Sequence, residues 1–149
     1  ARQSSLPGDR WHVVGLERSP QMQRITARKM RKRGIYAERV QAEGGALPFA
    51  NGYFNTIVAT FPAPYILQQR TMAEFARVLH PQDARVVVIG LSIHIKLKKR
   101  GGVAETDIVK DARLRRFVRL AAKVGLTTQT HIHRDPPIYI ALLIAQRPD

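Results

Sequence analysis

Apolar residues along the chain form short runs that alternate with helical stripes, and this alternation predicts a layered α/β domain. A strand-length run is apolar over four to eight residues, whereas a helical stripe repeats every three to four positions. The strand-length runs lie at residues 11–16, 36–42, 54–60, 85–91, 126–133 and 138–145. Strands that alternate with helices favour a mostly parallel sheet, and the last two runs predict a closing antiparallel hairpin.

Three segments carry the helical repeat. The first begins at Ser19, which can cap a helix before a proline, and it ends at Gly34. The second spans residues 70–80 and the third spans residues 106–124. The core face of the first helix is predicted to hold Met22, Ile25, Thr26 and Met30.

The composition predicts one folded domain over residues 1–149. The chain has 149 residues, of which 44% are hydrophobic and 24% charged, and this balance is that of ordinary globular proteins. It has no cysteine, which excludes disulfides, thiolate metal sites and cysteine nucleophiles and favours a cytoplasmic location. The longest apolar run is far shorter than the roughly 20 residues of a membrane span, so we expect no transmembrane segment.

The charge is strongly positive. The sequence has 25 basic and 11 acidic residues, a formal net charge of +14, which favours weak contact with RNA or an anionic membrane. Few aromatic residues accompany the basic ones, so a solvated basic face is the alternative interpretation. His131 and His133 alternate on one predicted strand, but no third ligand is apparent and we predict no metal site.

Candidate binding residues follow the predicted parallel strands. Glu17, Glu43 and the Thr60-Phe61 pair each come where a strand ends, and ligands of open parallel sheets bind beyond those carboxyl ends. An ionised carboxylate is only an acceptor, so Glu17 is suited to take both hydroxyls of a ribose.

One stretch carries a family resemblance. AEGGALPFANGYF at residues 42–54 lies between VVGLERSP at residues 13–20 and FARVLHP at residues 75–81. In this order the three segments resemble class I S-adenosylmethionine-dependent methyltransferases, closest to the ubiquinone/menaquinone-biosynthesis and small-molecule branch. The resemblance implies a Rossmann-like fold, S-adenosylmethionine as cofactor, and methyl transfer to a small-molecule or lipid-like acceptor.

The same resemblance assigns cofactor-binding residues. It places Glu17 at the ribose, Arg18 and Met22 beside the adenine, Glu43 and Gly44 at the adenine edge, and Thr60 and Phe61 beside the methyl group. It names no catalytic residue, because displacement at a methyl carbon needs alignment more than a dedicated base. The alternative is a non-catalytic module of the same fold whose basic surface binds an anionic partner such as RNA, anionic lipid or protein.

The chain also departs from the family pattern. Glu43 stands where the family usually has Asp, and Gln82-Asp83 replaces a pair of glycines. The family's first strand and glycine-rich loop are absent before residue 11, although that strand is central in the family's sheet. We therefore expect an N-terminal segment, a second chain or a rearranged pairing to complete the sheet.

Overall fold

The computed structural model describes residues 12–95, 111–135 and 138–148. The chain divides into two compact units, Ala1–Glu43 and Gly44–Asp149. Each unit contains strands and helices, so the α/β prediction is confirmed. The start of the third predicted helix, at residues 106–110, lies outside the described residues, and the single-domain prediction stays a prediction.

The first unit is a strand–helix–strand motif. Strand β1 (Val14–Leu16) and strand β2 (Glu38–Val40) pair in parallel, and helix α1 (Pro20–Lys32) connects them. The hydroxyl of Ser19 accepts a hydrogen bond from Met22 N at 3.3 Å, and Gly34 follows the helix with φ +64°. Both ends of α1 therefore form as its sequence predicts.

The predicted core face of α1 is wrong at Met22, Ile25 and Thr26, which are exposed, and holds only at Met30. No residue of α1 is buried, and Met22 and Ile25 are 46% and 38% exposed. The half-buried positions are Gln23, Ala27 and Met30, at i, i+4 and i+7. The side-chain amide of Gln23 donates to Val40 O at 2.9 Å, and this polar contact orients the helix toward the strands.

The second unit is a four-stranded mixed sheet. Its elements are β3 (Thr56–Thr60), a 3₁₀ turn (Pro64–Leu67), α2 (Gln69–Val78), β4 (Arg85–Ile95), α3 (Ala112–Lys123), β5 (Thr127–Asp135) and β6 (Ile138–Gln146). The strand order is β3-β4-β6-β5, parallel between β3 and β4 and antiparallel for the other two pairs. The predicted C-terminal hairpin is therefore confirmed.

The core of this unit lies between one face of the sheet and helices α2 and α3. It includes Met72, Phe75, Val86, Val88, Leu114, Phe117, Ala141 and Leu143. On the other face Val87, Ile89, Leu142 and Ile144 are half-buried. Strand β4 runs past the predicted end at Leu91 because a register irregularity between Ile89 and Ile93 lets it continue.

Candidate cofactor site

The carboxyl ends of β1 and β2 lie at one edge of the first unit. Leu16 pairs with Val40 at the last register position, and Glu17 N donates to Val40 O at 3.1 Å. The side-chain amide of Gln23 also donates a hydrogen bond to Glu17 O at 3.3 Å. The edge that follows both strands is thus fixed by backbone pairing and by one side chain of α1.

Glu17 is half-buried directly after β1. Its Oε1 accepts a hydrogen bond from Ser19 N at 2.8 Å, which restrains the carboxylate at the turn into α1. A carboxylate offers about four acceptor positions, so this contact leaves capacity for the two hydroxyls of a ribose.

An ion pair connects the two loops beyond the strands. Arg18 Nε lies 3.2 Å from Glu43 Oε1, with side chains 79% and 45% exposed. Arg18 adjoins Glu17 in the sequence, so this contact places Glu43 at the same edge as the predicted ribose acid. An exposed pair of this kind contributes only about 0–1 kcal/mol, which lets a ligand exchange for it at little cost.

Met22 lies in the first turn of α1 at the same end of the unit, and its side chain is 46% exposed. A long, flexible thioether suits contact with a flat apolar ring. The structure thus brings Glu17, Arg18, Met22 and Glu43 to the carboxyl end of the β1–β2 pair.

Gly44 opens the second unit and is buried against an aromatic ring. A Cβ at this position would lie 2.7 Å from Cε2 of Tyr65 and 3.4 Å from Cγ2 of Thr71. A side chain here would therefore displace Tyr65. Packing alone explains the glycine, and the predicted adenine contact of Gly44 stays a prediction.

Thr60 is the last residue of strand β3, as predicted, Phe61 follows it, and both are exposed. Phe61 has φ +45°, which is strained for an aromatic residue, and its ring is 60% exposed. The strained turn is held by a bond from Phe61 N to Ile89 O at 2.7 Å and by the ring lying over Gly90. Strain of this kind concentrates at ligand sites.

The sequence analysis missed a polar cluster at the start of α3. Asp111 caps this helix by accepting from Arg113 N at 2.8 Å, and the buried Ser92 hydroxyl donates to its Oδ2 at 2.6 Å. Burial alone would raise the pKa of Asp111, but hydrogen bonds from Arg113 and Ser92 outweigh it and hold that pKa well below its ordinary 3.8. An aspartate before a helical repeat was the available signal.

A second missed cluster joins α2 to the loop at residues 44–51. Arg77 and Glu74 form an ion pair at 2.7 Å and bind backbone atoms of this loop. The spacing of three residues within a predicted helix was the signal that could have found the pair.

Among the described residues, no group of three or more histidines and acids is arranged to hold a metal ion. His131 and His133 are exposed on β5, opposite Leu142 and Ile140 of β6. None of the described helices is both long and apolar enough to span a membrane.

The hydrogen-bond acceptors of the first unit fit the donors of a nucleoside. Ribose hydroxyls and an adenine amino group are hydrogen-bond donors, and Glu17 and Glu43 supply carboxylate acceptors at one strand edge.

The parallel strand pairs, the helices and the antiparallel hairpin are those of a Rossmann-like α/β fold. Residues 2–82 match the family described as "Methyltransferase domain". The match covers more than half of the chain, and the chain belongs to this family. A search of curated proteins gave no match.

Solved structures show the same fold. The [4+2]-cyclase SpnF superposes with a TM-score of 0.64 at 15% identity, over 92% of this chain and 66% of that one. The YcgJ protein from Bacillus subtilis gives 0.64 at 12% identity, over 91% and 82%. A geranyl diphosphate C-methyltransferase from Streptomyces coelicolor, in complex with Mg²⁺, geranyl diphosphate and S-adenosyl-L-homocysteine, gives 0.63 at 16% identity, over 92% and 64%.

This chain thus spans slightly less than two thirds of the cyclase and of the Streptomyces enzyme. Identities this low establish the fold alone. The predicted methyltransferase class is confirmed by the family match, and S-adenosylmethionine is the cofactor that this class implies.

Proposed function

We propose that the protein binds S-adenosylmethionine and transfers its methyl group to a small-molecule or lipid-like acceptor. The observation that carries this proposal is the edge beyond β1 and β2, where Arg18 bridges to Glu43 beside Glu17. Two acceptor side chains at the carboxyl ends of adjacent parallel strands suit the ribose and adenine of the cofactor.

When bound, the cofactor supplies an electrophilic methyl group on a sulfonium. The residues of this chain then have to hold the donor, align the acceptor and exclude water, and a general base is optional. In this proposal Glu17 orients the ribose, Glu43 and Gly44 meet the adenine edge, and Arg18 and Met22 flank the ring. Thr60 and Phe61 are the proposed neighbours of the methyl group.

The acceptor class is the finer part of the proposal. A geranyl diphosphate C-methyltransferase shares the fold, which supports a small or prenyl-like acceptor. The resemblance at residues 42–54 favours the ubiquinone/menaquinone-biosynthesis branch. The lack of cysteine in the chain supports a reducing, cytoplasmic setting.

We also propose that an additional strand pairs with β3 in the whole protein. Within the described residues, β3 pairs only with β4, and β1 pairs only with β2. Strands of parallel pairing are rarely left at an open edge, because their unpaired backbone groups attract other chains. An N-terminal segment or a second chain would supply the strand, and with it the glycine-rich loop that the family resemblance leads us to expect.

A second candidate function is a non-catalytic, basic binding module. Helix α1 carries five exposed basic residues and no acid, and none of the five has an acidic partner among the described residues: Arg24, Arg28, Lys29, Arg31 and Lys32. This charge suits an anionic partner such as RNA, anionic lipid or an acidic protein.

Calorimetric titration with S-adenosylmethionine separates the two candidates. The titration is made on the chain of 149 residues and on the same chain extended by the coding sequence upstream. Binding by the extended protein, with or without binding by the shorter chain, supports the enzyme. No binding by either protein contradicts it and favours the module.

A further inference from the structure

The loop at residues 44–51, hereafter the adenine loop, is bonded along most of its length to α2. Arg77 Nη1 donates to Phe49 O at 2.7 Å and to Asn51 Oδ1 at 2.9 Å, and Nη2 donates to Leu47 O at 2.9 Å. One guanidinium therefore satisfies two backbone carbonyls and one side chain of the loop. A planar fork of five donors makes arginine suited to this task, and lysine could not replace it.

Glu74 completes the contact from the preceding turn of α2. Its Oε2 accepts from Leu47 N at 2.7 Å and from Arg77 Nη2 at 2.8 Å, while Oε1 accepts from Arg77 Nε at 2.7 Å. The two side chains are only 20% and 32% exposed. The hydrogen bond from Arg77 is the main cause that lowers the pKa of Glu74 below its ordinary 4.5, so the carboxylate is ionised at neutral pH.

The beginning of the same loop is held by packing. A Cβ at Gly44 would lie 2.7 Å from the Tyr65 ring, and a Cβ at Gly45 would lie 2.7 Å from Nε of Arg70. At the other end, Gly52 N donates to Arg77 O at 2.9 Å, and the Phe49 ring packs edge-on against Phe54 at 4.8 Å. The adenine loop is thus fixed at its start, middle and end.

The contacts exceed those of an ordinary helix ion pair. An exposed pair at i, i+3 stabilises a helix by about 0.2–0.5 kcal/mol and involves no other segment. Here Glu74 accepts a hydrogen bond from one backbone N–H of the adenine loop, and Arg77 donates to two of its backbone C=O groups. The acid stands next to the loop donor and the arginine next to the loop acceptors. Exchanging the two residues would therefore not preserve these hydrogen bonds.

We infer that Glu74 and Arg77 are positioning residues that set cofactor affinity by holding the adenine loop in its binding conformation. This inference rests on the proposed function, in which Gly44 meets the adenine edge. A preorganised loop does not have to be ordered when the ligand binds, so its affinity is higher than that of a mobile loop. The pair itself touches no ligand in this scheme.

The test measures the affinity for S-adenosyl-L-homocysteine by calorimetry, in the extended protein defined above and in its variants. Arg77→Met removes the guanidinium donors and should weaken binding by about tenfold or more. Arg77→Lys should restore only part of the affinity. The exchange E74R with R77E keeps an ion pair but cannot bind the Leu47 N–H and the loop carbonyls in the same way, so it should not restore affinity.

Two controls separate positioning from loss of stability. Arg115→Met changes an exposed arginine on α3, and Val88→Ala destabilises the buried core at β4 without removing any of the hydrogen bonds to the loop. Both should keep wild-type affinity when all titrations are run well below the melting temperatures. Amide exchange of Leu47, followed by NMR, should accelerate in Arg77→Met and not in Arg115→Met.

The outcomes are distinguishable. Failure of the wild-type protein to bind the ligand overturns the proposed function and this inference with it. Wild-type binding with unchanged affinity in Arg77→Met, or full recovery in the exchanged pair, overturns the positioning role alone. A loss of affinity in Val88→Ala as large as that in Arg77→Met would also contradict it.

Discussion

Among the residues that the structure describes, two that are not glycine hold backbone conformations that their side chains disfavour. Phe61 and Asp83 have φ values of +45° and +51°, a region that glycine occupies at far lower cost. Phe61 is exposed at the end of β3, where the proposed function places the methyl group. Asp83 lies in the turn before β4, where the family pattern has glycine.

Replacing Asp83 with glycine should therefore stabilise the protein. We expect Asp83→Gly to raise the free energy of unfolding by about 0.5–1 kcal/mol, because glycine relieves the strained φ. Gln82→Gly, in the adjacent exposed position, is the matched control and should be neutral or destabilising. Urea denaturation measures both changes, and a loss of stability in Asp83→Gly would contradict this explanation of the turn.

Gly90 is required by the ring of Phe61 as well as by its own backbone. Its φ is +76°, and an added Cβ would clash with Cδ1 of the Phe61 ring. Gly125 has a similar φ of +78° with nothing within 4 Å of an added Cβ. Gly90→Ala should therefore destabilise the protein by more than Gly125→Ala, with an excess on the order of 1–3 kcal/mol from overpacking.

The double variant Gly90→Ala, Phe61→Ala tests the cause of that excess. Removing the ring should eliminate most of the additional destabilisation of Gly90→Ala and leave only the part caused by its positive φ. A double-mutant cycle in urea denaturation measures this coupling between the two positions. If the cost of Gly90→Ala is the same with and without the ring, the contact does not explain the glycine.

At the scale of elements, helix α3 depends on the contacts of Asp111, the residue that caps its first turn. Asp111 accepts from Arg113 N, from the Arg113 side chain and from Ser92, so its removal costs both a cap and a partner for the buried hydroxyl. Asp111→Ala should lower the free energy of unfolding by about 1–2 kcal/mol at pH 7. Asp135→Ala, at the exposed end of β5, should have little effect.

The effect of Asp111 should also depend on pH. Its pKa is lowered on folding by Arg113 and Ser92 against the opposing effect of burial. A lowered pKa contributes stability that is present above the ordinary value near 3.8 and lost as the pH falls toward the native value. The difference between wild type and Asp111→Ala should thus shrink below about pH 4, and a difference that grows on acidification would contradict the assignment.

The elements show where prediction from sequence succeeds. Ser19 and Gly34 define the two ends of α1 through local capping, which sequence alone contains. The core face of α1 could not be predicted in the same way, because the long-range bond from Gln23 to Val40 O orients the helix. Strand β4 passes Leu91 for a similar reason, since pairing with β6 resumes at Ile93.

The candidate site likewise has one part that the sequence predicts and another part that it does not. Strand ends and charge place Glu17 and Glu43 at one edge, and parallel register confirms that placement. The Phe61 turn and the Glu74–Arg77 contact with the adenine loop depend on residues far apart in sequence, so periodicity could not predict them. In the sequence, Arg77 stands out as part of the family segment at residues 75–81 and by its spacing of three from Glu74, and its contacts with the adenine loop explain its presence.

At the scale of the whole molecule, we expect strand β3 to govern association, because within the described residues it pairs with β4 alone. Residues 56–60 (TIVAT) contain no charge or proline, and Val58 is 59% exposed, so the strand itself lacks the charged residues and prolines that prevent pairing with other chains. The chain of 149 residues should therefore self-associate as its concentration rises. Val58→Lys should reduce this association in sedimentation velocity experiments.

Val118→Lys, at an exposed position of α3, adds the same charge on a different element and is the control for net charge. Equal suppression by both lysines would show that charge alone limits association. Suppression by Val58→Lys alone supports the edge, and an upstream strand that restores monomers in the extended protein supports the proposed completion of the sheet.

The most direct test of the central claim is the affinity of the extended protein for S-adenosyl-L-homocysteine in three glutamate variants. Glu17→Ala should weaken binding by about tenfold or more, since charged hydrogen bonds contribute roughly 1.5–3 kcal/mol, and Glu43→Ala should weaken it by a smaller factor. Glu38→Ala, an exposed acid of β2 paired with His12, should bind as wild type does. Equal affinity in Glu17→Ala and Glu38→Ala would contradict the claim that acids at the carboxyl edge of β1 and β2 hold the nucleoside.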